Sequence, residues 1–252
     1  MGLIQRISRL LRSAPKHDLP DYEKILADNF RKFLKAGDCV ADVGAHTGAH
    51  TREIVKAVGP TGRVIAFEPL KQCYQSLVRE FKGLPNVRIE NVALSDFLAT
   101  ECSFTEASGT PQESGLRQRK FNHPQRAKPK KIKVSVSTLD FALSSWERLD
   151  YIKIDVEGGE LDCLMGGAKT IARCRPIISF ECGYDAFEHY GKTTADFIAY
   201  AIAGDFRIFD ILGNPIRDEH HLITAMTSRW DFYFVPSVKC EGFTARLFHS
   251  EG

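Results

Sequence analysis

A glycine turn between a short apolar strand and a helix constrains this chain more than any other feature. Residues 39–43 read as a buried strand, and the turn Asp42-Val43-Gly44-Ala45-His46-Thr47-Gly48 overlaps its end. A second apolar strand ends at Glu68, twenty residues after Gly48. Glycines let the backbone approach a ligand without a Cβ in the way, and an acid at a strand tip accepts hydrogen bonds from ribose hydroxyls. The pattern predicts an α/β protein that holds a nucleoside.

The spacing of the glycines indicates which nucleoside. A dinucleotide fingerprint needs the order G-x-G-x-x-G to seat a pyrophosphate on a helix N-terminus. Here the glycines read G-x-x-x-G, and the turn opens with Asp42. The carboxylate of Asp42 would repel an anion, whereas it would not repel an ammonium or a sulfonium group. The turn therefore favours S-adenosylmethionine over NAD.

Length, charge and cysteine usage set the broad class. The 252 residues fit one large α/β domain, and the net charge of +2 gives no general argument for a nucleic-acid partner. The seven cysteines are scattered and contain no C-x-x-C pair, which argues against a disulfide framework and a zinc site. This usage predicts a reducing, cytoplasmic location. No apolar run is long enough to span a bilayer, and no signal-peptide pattern is present.

The first residues predict a basic amphipathic helix. Its apolar positions recur at helical spacing with three arginines between them: Leu3, Ile4, Ile7, Leu10 and Leu11, then Arg6, Arg9 and Arg12. We expect the N-terminal helices of residues 1–36 to pack on the core or on a second subunit, as in a homo-oligomer. The alternative is that the first helix contacts an anionic membrane surface.

Strand and helix patterns alternate through residues 37–252, which we read as one domain. Further strands are predicted over 87–92, 151–155 and 177–180, and the segments 206–212 and 230–235 read as a closing pair joined by a loop with Gly213-Asn214-Pro215. Alternation of this kind predicts a mostly parallel sheet with helices on both faces. The expected fold class is therefore α/β, a single domain with a mostly parallel sheet. The closing antiparallel hairpin at its C-terminal end resembles the one that the seven-stranded, Rossmann-like class I methyltransferase fold adds to its sheet.

A basic insertion at about 97–133 interrupts this alternation. Between Arg117 and Lys133 it holds eight Lys or Arg and no acid. A loop of this length in a compact domain is usually functional or disordered. We therefore expect either a solvated flap or a lid that helps to bind an anionic or polyhydroxylated substrate. The segment ends in a strand that is predicted to be half exposed, because Ile132, Val134 and Val136 alternate with polar residues.

Acidic residues at the predicted strand ends indicate a functional site. Ligands of open α/β sheets bind beyond the carboxyl ends of the strands, and carboxylates stand there at Asp42, Glu68, Asp155 and Glu181. Asp155 ends a buried strand, where an unpaired carboxylate is costly, so it needs a hydrogen-bonding partner, a metal or a cationic ligand. Glu157 and Glu160 are either functional or acids in the first turn of the next helix, where the helix dipole favours them.

With these residues identified, the chain resembles the FkbM family of S-adenosylmethionine-dependent methyltransferases. The resemblance covers roughly residues 38–183 and rests on pieces in the family's order: the glycine turn with Thr51, Ala66-Phe67-Glu68-Pro69, Asn91-Val92-Ala93-Leu94-Ser95-Asp96, Ser137-Thr138-Leu139-Asp140 and Lys153-Ile154-Asp155-Val156-Glu157-Gly158-Gly159-Glu160. It implies an O-methyltransferase that acts on a hydroxyl of a small molecule or a glycan, of sugar or polyketide type. His46 departs from the family, which often has Asn there, and the region equivalent to 101–133 varies, so the resemblance does not fix the acceptor.

The resemblance also implies a cofactor site. Asp42, Gly44 and Gly48 would line the methionine end of S-adenosylmethionine, Glu68 would bind the ribose, and Ala93 would lie against the adenine. The whole expected set is Asp42, Gly44, Ala45, His46, Gly48, Thr51, Glu68, Pro69, Ala93 and Asp155.

Methyl transfer to a hydroxyl needs a base or a metal, because a hydroxyl is a poor nucleophile. The candidate catalytic residues are Asp155, Glu157 and Glu181, with His46 as a further candidate base. Asp155 and Glu181 stand at the tips of neighbouring strands and together could hold Mg²⁺, which takes oxygen ligands. Cys182 stands where a second hard ligand would be expected and argues against the metal.

Two other functions are the alternatives to this interpretation, and the sequence gives an argument against each of them. A short-chain NAD oxidoreductase would need a Tyr-x-x-x-Lys pair, and none of the seven tyrosines has Lys four residues on. A non-catalytic scaffold on a methyltransferase fold would keep the cofactor turn without turnover. The intact turn and Glu68 argue against lost cofactor binding.

Overall fold

The computed structural model of the chain describes residues 20–122, 124–183 and 186–248. Within them the strands are β1 (Cys39–Val43), β2 (Arg63–Phe67), β3 (Val87–Glu90), β4 (Ala93–Leu94), β5 (Ala99–Ala107), β6 (Pro129–Ser137), β7 (Tyr151–Ile154), β8 (Ile177–Glu181), β9 (Phe206–Asp210), β10 (Pro215–Ile216) and β11 (Asp231–Pro236). Eight of them form one mixed sheet in the order β10-β9-β11-β8-β7-β1-β2-β3. The five neighbouring strands β8, β7, β1, β2 and β3 are parallel to one another. β11 is antiparallel to both of its neighbours, β8 and β9.

Ten α-helices accompany the strands in the described residues. They are α1 (Tyr22–Phe33), α2 (Ala49–Val58), α3 (Lys71–Glu80), α4 (Pro124–Ala127), α5 (Leu139–Ala142), α6 (Glu160–Met165), α7 (Ala168–Cys174), α8 (Thr194–Ala203), α9 (Glu219–Ala225) and α10 (Cys240–Phe248). Short side chains start several of them: Asp21 accepts a hydrogen bond from the Lys24 amide at α1, and Thr138 accepts one from Phe141 at α5. None of the described helices combines the length and apolar character that a membrane crossing requires.

The central strands bury both faces, because helices cover both sides of the sheet. Along β1 and β7, Val40 and Tyr151 point to one core and Ala41 and Ile152 to the other. Helices α1, α2 and α10 cover the first face, and α6, α7 and α8 cover the second. This architecture confirms the predicted α/β Rossmann-like fold, with the two-residue β10 as an added eighth strand at the edge.

The predicted irregular insertion contains two long strands, so the expectation of a continuous loop was wrong. β5 pairs antiparallel with β6 from Ala107↔Pro129 to Ala99↔Val136, and β4 adds a parallel strand on the other side. Phe104, Val134 and Val136 face Leu70 in a separate small core. A register shift between Ala99 and Cys102 breaks the strict alternation of β5, which is why the sequence pattern did not reveal it. The half-exposed strand predicted over 132–136 is present.

The closing strands also differ in detail from the prediction. β9 and β11 pair as expected, but the connection between them is more than a loop at Gly213-Asn214-Pro215. β10 folds back on β9, and the helix α9, capped by Asp218, follows before β11 begins. The helix α1 ends at Phe33.

Only part of the N-terminal region is among the described residues, so the prediction of a 1–36 helical unit stays a prediction. The amphipathic segment of residues 3–12 lies outside the described residues. The described residues begin at residue 20. Within them, α1 packs on the core through Leu26, Phe30 and Phe33.

Candidate active site

The carboxyl ends of β1, β2 and β7 open into a cavity of about 350 Å³. Its walls come from the glycine turn after β1, the ends of β2 and β7, the segment 92–95 around β4, and the insertion. The volume is in the range of ligand-binding pockets. Eight of the predicted site residues line it: Gly44, Ala45, His46, Glu68, Pro69, Ala93, Asp155 and Glu157. The described structure therefore brings most of the predicted residues to one cavity.

The glycine turn is fixed between the two strands that flank β1. The Gly44 and Ala45 amides donate to the Phe67 carbonyl of β2 at 3.0 and 3.1 Å. On the other side, a Cβ on Gly44 would lie 1.8 Å from the Asp155 carbonyl oxygen, and Gly44 has a φ of +81°. Only glycine satisfies both conditions. His46 follows with a φ of +48°, a conformation that costs energy and recurs at functional sites.

Glu68 is held at the cavity by two backbone amides. One carboxylate oxygen accepts from the His46 amide at 2.8 Å, and the other accepts from the Leu70 amide at 2.7 Å. The residue is 4% exposed, and burial raises the pKa of its carboxyl to about 7, although both amide bonds and Lys153 oppose the shift. Each oxygen keeps a further lone pair for a ligand, since a carboxylate oxygen accepts two hydrogen bonds.

Asp42 and Thr51 lie behind the turn, which corrects the expectation that they line the cavity. Asp42 is 0% exposed, and one of its oxygens accepts from the Thr51 hydroxyl at 2.6 Å. Its other oxygen lies 3.8 Å from Lys153 Nζ. Gly48 is also outside the cavity wall, where a Cβ would lie 2.7 Å from Leu77 Cδ2. These residues support the turn from behind, because the Asp42 side chain points from β1 toward Thr51 of α2.

Lys153 is the main cavity residue that the sequence analysis did not assign. It is an almost fully buried lysine in the middle of β7, and its Nζ lies 3.2 Å from Asp155 Oδ2. Burial opposes its charge, but Asp155 and then Asp42 raise its pKa overall, so the amine stays protonated. A lysine within the apolar strand 151–154 was the available signal, since an unpaired buried charge is costly.

Asp155 and Glu181 share a hydrogen bond at the ends of neighbouring strands. Burial and the Asp155 charge raise the pKa of Glu181 well above its usual range, so Glu181 holds the proton. Burial also acts against ionised Asp155, but Lys153 and the bond from Glu181 lower its pKa overall. Asp155 lines the cavity with its side chain 36% exposed, whereas Glu181 does not line it. The pair therefore presents one ionised carboxylate to a ligand.

The two other acids of this segment have different environments. Glu160 accepts from the Val156 and Gly158 amides at 3.0 and 3.1 Å, so it closes the turn before α6. Burial raises the pKa of Glu160 to about 7. Glu157, at a φ of +60°, lines the cavity and forms an ion pair with Arg119 of the insertion. Glu160 is thus a capping residue, as one sequence reading expected.

The insertion supplies the remaining wall of the cavity. Phe104, Pro111 and Leu116 add apolar surface, and Gln112 adds an amide. Tyr190, from the short helical turn Phe187–Tyr190, also lines the cavity, and its hydroxyl accepts from the Arg117 amide at 3.2 Å. Sequence reasoning missed these residues because they come from segments far from the glycine turn along the chain.

The three carboxylates of Asp155, Glu157 and Glu181 lie close enough to suggest a metal site. One oxygen of each lies within 4.8 Å of the others. Each carboxylate already has a partner of the chain, however: Lys153 at Asp155, Arg119 at Glu157, and a shared proton at Glu181. Two built-in cations at this cluster do not fit a resident Mg²⁺ ion, because they supply the charge that the metal would bring.

This fold and this site together define the class of S-adenosylmethionine-dependent methyltransferases. The sequence model described as the methyltransferase FkbM domain matches residues 42–209, which is more than half of the chain. The chain therefore belongs to the FkbM methyltransferase family.

Individual proteins are similar to this chain over different lengths. The crystal structure of methyltransferase FkbM from Methylobacillus flagellatus superimposes with a TM-score of 0.50 at 13% identity, covering 92% of this chain and 57% of that one. The methyltransferase sdnD of Sordaria araneosa is 26% identical over 58% of this chain and 67% of its own length. The tRNA (adenine(58)-N(1))-methyltransferase catalytic subunit TRM61 of Cryptococcus neoformans is 33% identical over 75 residues, 29% of this chain and 17% of its own length.

Proposed function

We propose that the protein transfers the methyl group of S-adenosylmethionine to a hydroxyl of a small molecule or a glycan. The observation that carries the proposal is the ionised Asp155 carboxylate, which lines the same cavity as the glycine turn and Glu68. The cavity thus combines a nucleoside-binding wall with a group that can accept a proton. The domain of residues 37–252 would supply both.

The cofactor would lie along the ends of β1, β2 and β4. Gly44, Ala45 and His46 would border its methionine end, Glu68 and Pro69 would face the ribose, and Ala93 would lie against the adenine. The acids at the cavity suit a ligand that carries an ammonium and a sulfonium. Asp42, Gly48 and Thr51 would act on the cofactor only through the shape of the turn.

Asp155 would be the base. The acceptor hydroxyl would approach the methyl carbon in line with the sulfur, and its proton would be hydrogen-bonded to Asp155. As the oxygen–carbon bond forms, the carbon–sulfur bond breaks and its electron pair stays on sulfur, which gives neutral S-adenosylhomocysteine. The hydroxyl proton passes to Asp155 and then to solvent. Glu181 would keep its proton and hold Asp155 in place by donating a hydrogen bond to it, and it would not touch the acceptor.

His46 is the alternative base. Its imidazole lines the cavity, and burial lowers the pKa of His46, so the ring is neutral near pH 7 and can accept a proton. Asp155 is favoured because Lys153 and Glu181 fix its carboxylate from two sides.

The acceptor would be small or would present a narrow end to the cavity. The insertion and Tyr190 wall the cavity on the side away from the cofactor strands, and this wall is mostly apolar. Gln112, Ser114 and Tyr190 are polar residues there that could recognise further hydroxyls. A polyketide-like or glycan hydroxyl suits this wall better than a folded nucleic acid.

The first test is a calorimetric titration with S-adenosylhomocysteine, with NAD as the comparison. Micromolar binding of the homocysteine product without binding of NAD would support the proposal, and glycosides and polyketide alcohols would then be screened as acceptors. Failure of both ligands to bind would move the non-catalytic scaffold to first place.

Replacing Glu68 with Ala should weaken the binding of S-adenosylhomocysteine about ten- to a hundredfold, because hydrogen bonds to a charged group contribute about 1.5–3 kcal/mol. Calorimetry measures this directly. Glu90→Ala is the matched control, since Glu90 ends the adjacent strand and does not line the cavity. Wild-type affinity in Glu68→Ala would refute the ribose assignment.

Cofactor affinity should fall as the pH is lowered below about 7. The raised pKa of Glu68, about 7, means that the free protein holds a proton there at pH 6, whereas ribose hydroxyls need the ionised carboxylate as acceptor. Binding must then release a proton, so the affinity should drop about tenfold for each pH unit below the pKa and level off above it. Calorimetry in two buffers of different ionisation enthalpy counts the released proton. The pH dependence should largely disappear in Glu68→Ala, and its persistence there would assign the proton to another group.

A further inference from the structure

Arg119 joins the insertion to the segment that carries the proposed base. It lies between β5 and β6, within the basic run of residues 117–133, and its guanidinium pairs with the carboxylate of Glu157. The two side chains are only 10% and 11% exposed. An ion pair removed from water in this way is held far more strongly against salt than a surface pair, and loss of one partner leaves the other charge unpaired.

A second contact keeps the insertion in this place. The Arg117 amide donates to the Tyr190 hydroxyl at 3.2 Å, and the Arg117 guanidinium lies 5.6 Å from the centre of the Tyr190 ring. Tyr190 in turn packs against Gly159, where a Cβ would lie 3.1 Å from its ring. Arg117 is therefore anchored beside the turn that carries Glu157. Because Arg119 is only two residues further along the chain, this anchor limits the positions that Arg119 can adopt.

Glu157 needs such a partner. Its backbone has a φ of +60°, and its carboxylate lies within 4.8 Å of those of Asp155 and Glu181. Lys153 balances the charge of Asp155. Without Arg119, the negative charge of Glu157 would be buried beside Asp155, and the two carboxylates would repel each other or attract another cation.

We propose that Arg119 is a positioning residue that holds Glu157 at the cavity and takes the place of a divalent metal ion in the carboxylate cluster. The insertion thus supplies one of the two cations of the carboxylate cluster, and β7 supplies the other, Lys153. Arg119 does not line the cavity, whereas Glu157 does, so Arg119 would act through Glu157. The inference deepens the proposed function, but its central prediction concerns metal binding and does not require that function to be correct.

The test is Mn²⁺ binding to the whole chain, measured by electron paramagnetic resonance. Mn²⁺ suits carboxylate ligands and gives a direct signal for the free ion. Wild type should bind Mn²⁺ weakly or not at all at millimolar concentration, whereas Arg119→Gln should bind it at least about tenfold more tightly. Arg119→Lys should restore the wild-type behaviour. Lys120→Gln is the matched control, because Lys120 is the exposed neighbour in the same basic run.

One further variant, together with the wild type, keeps the outcome decisive. Glu157→Gln in the Arg119→Gln background should abolish the gained Mn²⁺ binding, which ties it to this cluster. Tight Mn²⁺ binding by wild type would overturn the proposal, and this result needs no variant to fold. Absence of gained binding in Arg119→Gln, with wild-type melting temperature, would overturn it as well. S-adenosylhomocysteine titration of the same samples tests the proposed function separately, so the two failures are distinguishable.

Discussion

Methyl transfer is expected to slow about a thousandfold when Asp155 is replaced by Asn, while the affinity for S-adenosylhomocysteine stays close to that of wild type. The amide keeps the size of the carboxylate and can accept the hydrogen bond from Lys153, so the local structure should persist. It cannot take the proton of the acceptor hydroxyl. The loss should therefore appear in kcat and not in the binding of the cofactor product.

The measurement is transfer of labelled methyl from S-adenosylmethionine to an acceptor identified by the glycoside and polyketide screen. Asp96→Asn is the control, because Asp96 is an exposed acid after β4 that does not line the cavity. Full activity of Asp155→Asn would exclude Asp155 as the base and would direct attention to His46.

Replacing Lys153 with Met is expected to lower the free energy of unfolding by about 3–5 kcal/mol, which is the usual cost of removing one partner of a buried ion pair. Asp42 is fully buried, and its carboxylate accepts a hydrogen bond from the Thr51 hydroxyl. Among the described residues, Lys153 is the one cation paired with this carboxylate. The variant leaves this charge without compensation. Urea denaturation measures the loss, and a methionine of similar length limits the effect of packing.

A second substitution separates charge from packing in this experiment. Asp42→Asn combined with Lys153→Met should recover part of the lost stability, since both buried charges are then gone and the amide oxygen can still accept from Thr51. Lys133→Met is the control, because Lys133 is an exposed lysine on a strand of the insertion. Equal losses in the single and double variants would show that the ion pair with Asp42 contributes little.

The sequence predicted the cavity wall formed by the glycine turn and Glu68 well because its signals are local. Gly44 and Glu68 belong to strand ends whose positions follow from short apolar runs, and parallel neighbours place such ends at one edge. The capping residues Asp21 and Thr138 likewise start their helices through local contacts, to amides three residues further on. Each of these signals depends on residues only a few positions apart.

The insertion was predicted poorly because its structure depends on distant pairing. The bulge in β5 hides the alternation that would have indicated a strand, and β5 is stabilised by β6, which begins twenty-two residues after it ends. Similarly, α9 is a seven-residue helix whose place between β10 and β11 no pattern in the sequence analysis indicated.

By itself, the sequence determined the parallel strands of the large sheet, the helices between them, the family and the acids that meet at the sheet edge. The tertiary structure alone decided which of those acids carry charge and which face the cavity. Asp42 turned out to lie behind the turn, Glu181 holds a proton, and Glu157 is paired with Arg119 of the insertion. The physical reason is that the ionisation of a buried carboxylate depends on solvent exposure and on the cations within a few ångströms, and the chain brings those cations from elements that are remote in sequence.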